Sequence, residues 1–127
     1  MAWVVQRLPV RTTIEPASAR VRRIARMIEL HLRGRAAPGR RADLKAFLAE
    51  AIGFYERPGG IQVRVLWDVA EPNRFIEIVE YADQTTHDRD QVRVEYDPVM
   101  RVYLERWRAL LDGPPQVETY VVDTPRA

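Results

Sequence analysis

The 127-residue chain contains no cysteine, which excludes disulfides and thiolate metal ligation and is compatible with a reducing compartment. It has only two histidines, His31 and His87, far apart in sequence and without metal-ligand spacing. No apolar run approaches the roughly 20 residues that span a bilayer, and no apolar segment of a secretory signal is present. The expected location is therefore the cytoplasm, with no membrane partner.

What the chain does have is 46% apolar and 30% charged residues, the composition of one globular domain. Its formal charge of +2 is unevenly distributed. Residues 1–26 hold Arg7, Arg11, Arg20, Arg22, Arg23 and Arg26 against the single acid Glu15, so the remainder is net acidic. The basicity belongs to an extension, expected to be flexible, ahead of a domain at 27–127. A domain without a net basic balance argues against a nucleic-acid partner. Met27 opens the first regular segment, so 1–26 also reads as a sequence upstream of a natural start. A third reading is an arginine-rich organellar leader.

Residues 27–34, MIELHLRG, alternate with Ile28, Leu30 and Leu32 on one side and Met27, Glu29, His31 and Arg33 on the other, the pattern of a half-buried strand. After Pro38 and Gly39, residues 40–56 set Leu44, Phe47, Leu48, Ala51 and Tyr55 at helical spacing. The RPGG run ends that helix. A second strand follows at 61–69, with Ile61, Val63, Val65 and Trp67 alternating against Gln62, Arg64, Leu66 and Asp68. Pro72 and Asn73 mark a turn, and 74–81 returns as a third strand to make a hairpin. Residues 84–111 are helical but divided at Asp97-Pro98, because proline lacks a donor and restricts the residue before it. Met100, Tyr103, Leu104, Trp107, Leu110 and Leu111 line one side of the second piece. DGPP stops it, and 116–123 is the fourth strand. The order β-α-β-β-α-β is the ferredoxin-like split motif of the α+β class, an antiparallel sheet in order 4-1-3-2 with its helices on one face.

In the hairpin, Val63, Val65 and Trp67 are expected to share the helix-covered face with Ile76 and Ile78. That leaves Gln62, Arg64, Leu66 and Asp68 on the other face with Phe75, Glu77, Val79 and Tyr81. This second face is too apolar to stand in water, and a partner sheet is its simplest cover. The expectation is a homodimer packed through its sheets.

The segments PGRRADLKAFLAEAIGFYERPGG, RVLWD, RFIEIVEYADQ, YDPVM and LERWRALLDGPPQVETY, in this order within residues 27 to 122, resemble the dimeric α/β-barrel superfamily. Within it they are similar to the antibiotic-biosynthesis-monooxygenase-like domains and their NIPSNAP-like relatives. The resemblance implies that two sheets close a barrel and that ligands sit between sheet and helices or in the barrel mouth. The superfamily holds cofactor-free oxygenases of polycyclic phenols, haem-degrading enzymes, isomerases and members without known activity, so the fold does not assign a reaction. Haem-degrading members use an asparagine on the first strand and a histidine in the second helix. Here the first strand offers Glu29 and His31, Asn73 lies in the hairpin turn, and His87 comes a turn earlier than the family's histidine, near whose place stands Asp90.

Two groups of residues can carry chemistry. Asp83, Asp88 and Asp90 crowd the start of the second helix, where acids favour the positive helix end by about 0.3 to 1 kcal/mol each, and Asp83 is placed to cap it. His87 there fits either a solvated helix start or a contact at a pocket mouth. The denser group is on the second sheet face, where Glu29, His31, Arg64, Glu77 and Tyr81 would converge. A buried carboxylate must be paired or neutral, so Arg64 is expected to pair with Glu77. His31 beside them would be a general base for a phenol or enol, with Arg64 stabilising the oxyanion. The catalytic candidates are thus His31, Arg64 and Glu77, with Glu29, Tyr81, His87 and Trp67 as ligand contacts. The same cluster also reads as a satisfied polar network in a dimer interface. No catalytic serine order, phosphate loop or metal spacing is visible, and no cofactor or metal is expected. Two functions fit: a cofactor-independent monooxygenase acting on a small aromatic substrate, and a non-catalytic homodimeric barrel that binds a small ligand or serves as structure.

Overall fold

The structure, a computed structural model, describes residues 26–124; the expected flexible extension, apart from Arg26, lies outside the described residues. The elements are β1 (Ile28–Arg35), α1 (Arg41–Glu56), β2 (Ile61–Trp67), β3 (Arg74–Tyr81), α2 (Gln84–Tyr96), α3 (Pro98–Ala109) and β4 (Gln116–Val121). The strands form one antiparallel sheet in the order β2-β3-β1-β4. This is the expected ferredoxin-like α+β arrangement. No helix among the described residues is long and apolar enough to cross a membrane.

The helices form where spacing and breakers dictate. Leu44, Phe47, Leu48, Ala51 and Tyr55 of α1 are buried, joined by Phe54. The division at Pro98 is built by Asp97, which closes α2 with an extended backbone and caps α3, accepting from Val99 N at 2.8 Å and Met100 N at 3.4 Å. From α3, Met100, Leu104 and Trp107 enter the core, while Tyr103 stacks on Phe54 with centroids 4.6 Å apart.

The facing of β3 differs from expectation. Val63 pairs with Val79, Val65 with Glu77 and Trp67 with Phe75, while across the sheet Leu30 pairs with Val79 and Leu32 with Glu77. Directly paired residues share a face. Phe75, Glu77, Val79 and Tyr81 therefore point under the helices, and Ile76 and Ile78 point outward with Arg64 and Leu66. A register slip of one residue inverts every side chain, and here the two choices are nearly balanced. Burying Phe75, Val79 and Tyr81 contributes about 1.5–3 kcal/mol each, offset by burial of the Glu77 carboxyl and by leaving Ile76 half-buried on the outer face, where Ile78 is still covered within the chain. The turn decides. Asp68 N donates to Arg74 O at 2.9 Å, the Asp68 carboxylate accepts from Ala70 N at 2.7 Å and Glu71 N at 3.1 Å, and its other oxygen accepts from Arg74 Nε at 2.6 Å. This closed loop sets Trp67 opposite Phe75.

The outer face is thus apolar for a different reason than expected. Leu66 is 43% exposed and Tyr120 44%, beside Ile76 and Ile78, whereas Phe75, Val79 and Tyr81 already belong to the core of the single chain.

Candidate functional site

Glu77 occupies the middle of β3, flanked on its own face by Leu32 and Val65. Its side chain is 2% exposed, and Oε1 has no hydrogen-bond partner. Burial, unopposed by any cation, pushes its carboxyl up to about 8, so at neutral pH it is mainly the neutral acid. Beside it, between the sheet and α1, α2 and α3, is a cavity of about 20 Å³ lined by Tyr55, Tyr81, Asp90, Arg93 and Met100 among others, enough for about one small molecule the size of water.

A hydrogen-bonded chain forms the polar wall of this cavity. Tyr81 OH donates to Asp90 Oδ2 at 2.6 Å, and Arg93 Nε donates to Asp90 Oδ1 at 3.1 Å. The rest of the Arg93 guanidinium donates to Phe54 O at 3.2 Å and Tyr55 O at 2.7 Å at the end of α1, where carbonyls run out of regular helical partners; Phe54 O also accepts from Arg57 N at 3.3 Å. Arg93 therefore ties α2 to α1 over the cavity, with its guanidinium 5.1 Å from the Phe54 ring. The Tyr81 phenol is pushed well above its ordinary range by burial and then by the Asp90 carboxylate, and burial does the same to Tyr55.

His87 is inside rather than on a solvated first turn. It is 2% exposed, its ring stands edge-on to Tyr81 with centroids 5.1 Å apart, and Nδ1 lies 3.0 Å from the exposed Asp88 carboxylate. The capping role of Asp83 holds: its carboxylate accepts from Thr86 N at 2.7 Å. His87, Asp90 and Val94 form the inward face of α2, and its polarity hid the helical period.

The cluster expected on one sheet face is divided by the sheet itself. Glu29, His31 and Arg64 lie on the outer face; Glu77 and Tyr81 lie under the helices. Arg64 cannot pair with Glu77, because it stands opposite Ile78 and points the other way. Nor is His31 beside Glu77, since Leu32 occupies that position. His31 instead has Nε2 2.7 Å from Glu29 Oε1 and its ring 4.9 Å from Tyr120. Trp67 faces the helices but sits beneath the start of α1, with the Arg41 guanidinium 4.9 Å and Lys45 Nζ 5.4 Å from its ring, away from the cavity. Arg93 was not named from the sequence, and Tyr55, Asp90 and Met100 were read as packing or helix-start residues rather than as members of one site. Their signal, an inward-facing i, i+3 Asp–Arg pair on α2, becomes readable only once the facing of β3 is known. Among the described residues no group of three or more His, Cys, Asp or Glu could hold a metal ion.

A wider groove of about 470 Å³ crosses the outer face near the hairpin turn, lined by Arg33, Arg35, Leu66, Arg74 and Ile76 among others. Its arginines are already spent, Arg33 on Glu118 at 2.6 Å, Arg35 on Glu71 at 2.8 Å, and Arg74 on Asp68, so it offers no unpaired cation to a ligand.

No family model and no curated protein matches the sequence. Solved structures do match. One, provisionally named an antibiotic biosynthesis monooxygenase, from Bordetella bronchiseptica, is 27% identical, covering 75% of this chain and 95% of that one with a TM-score of 0.57. A second of the same provisional name, from Chloroflexus aurantiacus, is 20% identical over 80% of this chain and 97% of that one, at 0.61. A variant of SnoaB, a cofactor-independent oxygenase from Streptomyces nogalater, is 17% identical over 80% of this chain and 95% of its own, at 0.60. The described domain has the fold of these antibiotic-biosynthesis-monooxygenase-like proteins.

Proposed function

We propose that this antibiotic-biosynthesis-monooxygenase-like domain is a cofactor-independent monooxygenase of a small aromatic substrate, with Glu77 as its base. The observation that supports this reading most is the Glu77 carboxyl, buried and unpartnered beside a cavity. A carboxylate raised to about 8 stands much nearer to a phenol, whose ordinary value is about 10, and proton transfer is most efficient between matched groups. Ionised Glu77 takes the phenolic proton, and the resulting anion supplies electrons to dioxygen. One oxygen atom enters the ring as a carbonyl and the other leaves as water with both displaced hydrogens, so a phenol and dioxygen give a quinone and water. Low water content around the site favours the anion's oxidation over its reprotonation.

The cavity of about 20 Å³ is too small for an aromatic ring. Entry of substrate requires the unbranched Met100 side chain to swing aside and α2 and α3 to give at Asp97-Pro98. The same small volume favours a second reading, a non-catalytic homodimeric barrel. Oxygen-electrode assays with a panel of hydroquinones and naphthols separate the two. The oxygenase consumes one dioxygen per quinone formed and loses this in Glu77→Gln; the non-catalytic barrel consumes none with any member of the panel.

The partner in this reading is a second copy, apposed through the outer sheet face, with the cytoplasm as the place of action. Leu66, Ile76 and Tyr120 supply apolar contact there. Glu29 and Glu80 lie towards one end of that face and Arg33 and Arg64 towards the middle and the other end, so a twofold axis through the sheet brings acids over arginines. The Glu29, His31 and Tyr120 group then becomes part of an interface network.

A further inference from the structure

The solvent side of α2 and α3 carries apolar residues that the core does not use. α2 turns His87, Asp90 and Val94 inward, and α3 turns Met100, Leu104 and Trp107 inward. Val92, Tyr96, Val99 and Val102 are each more than half exposed. Val92 and Tyr96 stand four apart on one helix and Val99 and Val102 three apart on the next, so each pair occupies one side of its helix. Only the Asp97-Pro98 junction separates the two pairs in the chain. A lone exposed apolar side chain, such as Val69 after β2, needs no explanation, whereas a stripe along two helices marks a surface with an occupant.

Reach, composition and charge indicate that occupant. Ile28 pairs with Tyr81, and Met27 O accepts from Val122 N at 2.9 Å, so the chain ahead of Arg26 joins the domain at the end of the sheet where α2 begins. From Gln84, Val92 and Tyr96 lie about 12 and 18 Å along the axis of α2. Residues 11–25 span up to roughly 50 Å when extended, so residues 2–10 can reach the stripe. Ala2, Trp3, Val4, Val5, Leu8 and Val10 make that short segment apolar, and Arg11, Arg20, Arg22, Arg23 and Arg26 follow it. The register that pairs Ile28 with Val121 sets Arg26 against Asp123. Asp83 and Asp88 stand at the start of α2 against Arg89, an acidic border that suits the arginine-rich part of the extension.

We infer that residues 2–10 of the chain's own extension dock on the stripe formed by Val92, Tyr96, Val99 and Val102, with Trp3 as the main apolar contact and residues 20–26 held over Asp83, Asp88 and Asp123. The docking goes beyond the oxygenase reading and does not depend on it. Where that reading holds, a segment clasping both helices across Asp97-Pro98 restrains the junction that substrate entry moves.

The test uses the full chain. Because it has no cysteine, Gln6→Cys takes a single spin label, which is expected to broaden the methyl signals of Val92, Val99 and Val102. Adding Val102→Glu is expected to abolish that broadening while leaving the melting temperature within a few degrees, since the position is on the surface. Docking also shields Arg7, so trypsin is expected to cut after Arg7 about tenfold more slowly in the wild type than in Val102→Glu or Trp3→Ala. Trp3→Ala probes the same contact from outside the described domain should Val102→Glu fold poorly. Unbroadened methyls on α2 and α3, or equal cleavage rates in the three proteins, overturn the inference. So does broadening confined to Leu66 and Ile76, which places the segment on the outer sheet face. Broadening seen only between differently labelled molecules overturns it as well, because the occupant is then a second copy's extension.

Discussion

The two faces of the sheet treat a carboxylate in opposite ways. On the outer face Glu118 accepts from Arg33 at 2.6 Å and is held below its ordinary range by that bond. On the helix face Glu77 meets Leu32, Val65 and the core, and burial without an opposing charge pushes it up to about 8. The difference is one of neighbours and solvent rather than of residue type. A carboxyl at a wet edge with a guanidinium gains little in stability and has no special reactivity, whereas one stranded under helices is destabilising as an ion and for that reason suited to accept a proton near neutral pH. The chemistry of this protein is thus expected on the face that the alternation of charged residues had marked as interior packing.

The comparison can be broken most forcefully at adjacent faces of β3. Val79→Asp places a charge in the core of the single chain and is expected to cost about 3–5 kcal/mol, enough to unfold the domain. Ile76→Asp points outward and is expected to leave the fold intact while converting dimer to monomer in sedimentation. The reverse pattern, with Ile76→Asp unfolding and Val79→Asp merely dissociating, would mean that β3 faces the other way.

Arg93→Met sharpens the inner face. It takes the guanidinium from the Tyr55 carbonyl, leaves Phe54 O with Arg57 N alone, and removes the cation beside the buried Asp90, so urea denaturation is expected to show a loss of about 2–3 kcal/mol.

Glu77→Gln addresses the carboxyl directly. The folded protein keeps a proton on Glu77 through the window from the ordinary 4.5 up to about 8, while the unfolded chain has already released it. The native state therefore binds more protons there, and wild-type stability falls as pH rises through that window. Glu77→Gln has no proton to lose. It is expected to flatten this slope and to exceed the wild type by about 1–2 kcal/mol at the alkaline end, read by thermal melts at a series of pH values.

The smallest effect belongs to the outer face. His31→Ala removes a partly exposed pair with Glu29 and is expected to change stability by less than about 1 kcal/mol, with oxygen consumption unchanged. A loss of turnover would return the site to that face.

Much of the fold could be read from the chain because its strong signals are local. The clean alternation of Ile28, Leu30 and Leu32, the helical spacing of Leu44 to Tyr55, and the break at Asp97-Pro98 each follow from backbone geometry without knowledge of the rest. The facing of β3 could not be read that way. Phe75, Val79 and Tyr81 on one side and Ile76 and Ile78 on the other are both plausible core sets, and Glu77 among the first set argued for the wrong one. The deciding contact is the Asp68-centred turn, a matter of side-chain bonds rather than hydrophobic pattern. The site failed for the same reason: once β3 is inverted, Glu77 leaves Arg64 and His31 and meets residues of α1, α2 and α3, including Arg93, whose partners are helix-end carbonyls that no sequence pattern announces. His87 was ambiguous because a charged first turn and a buried polar contact share one sequence.

The most direct measurement is a site-resolved titration of Glu77, following its side-chain carboxyl by carbon NMR or by the infrared carbonyl band, with Glu77→Gln to assign the signal. A midpoint near 8 is expected, with the protonated band present at neutral pH. A midpoint at the ordinary 4.5 would contradict the account, because a carboxyl that ionises there is solvated or paired and is not the isolated base beside the cavity.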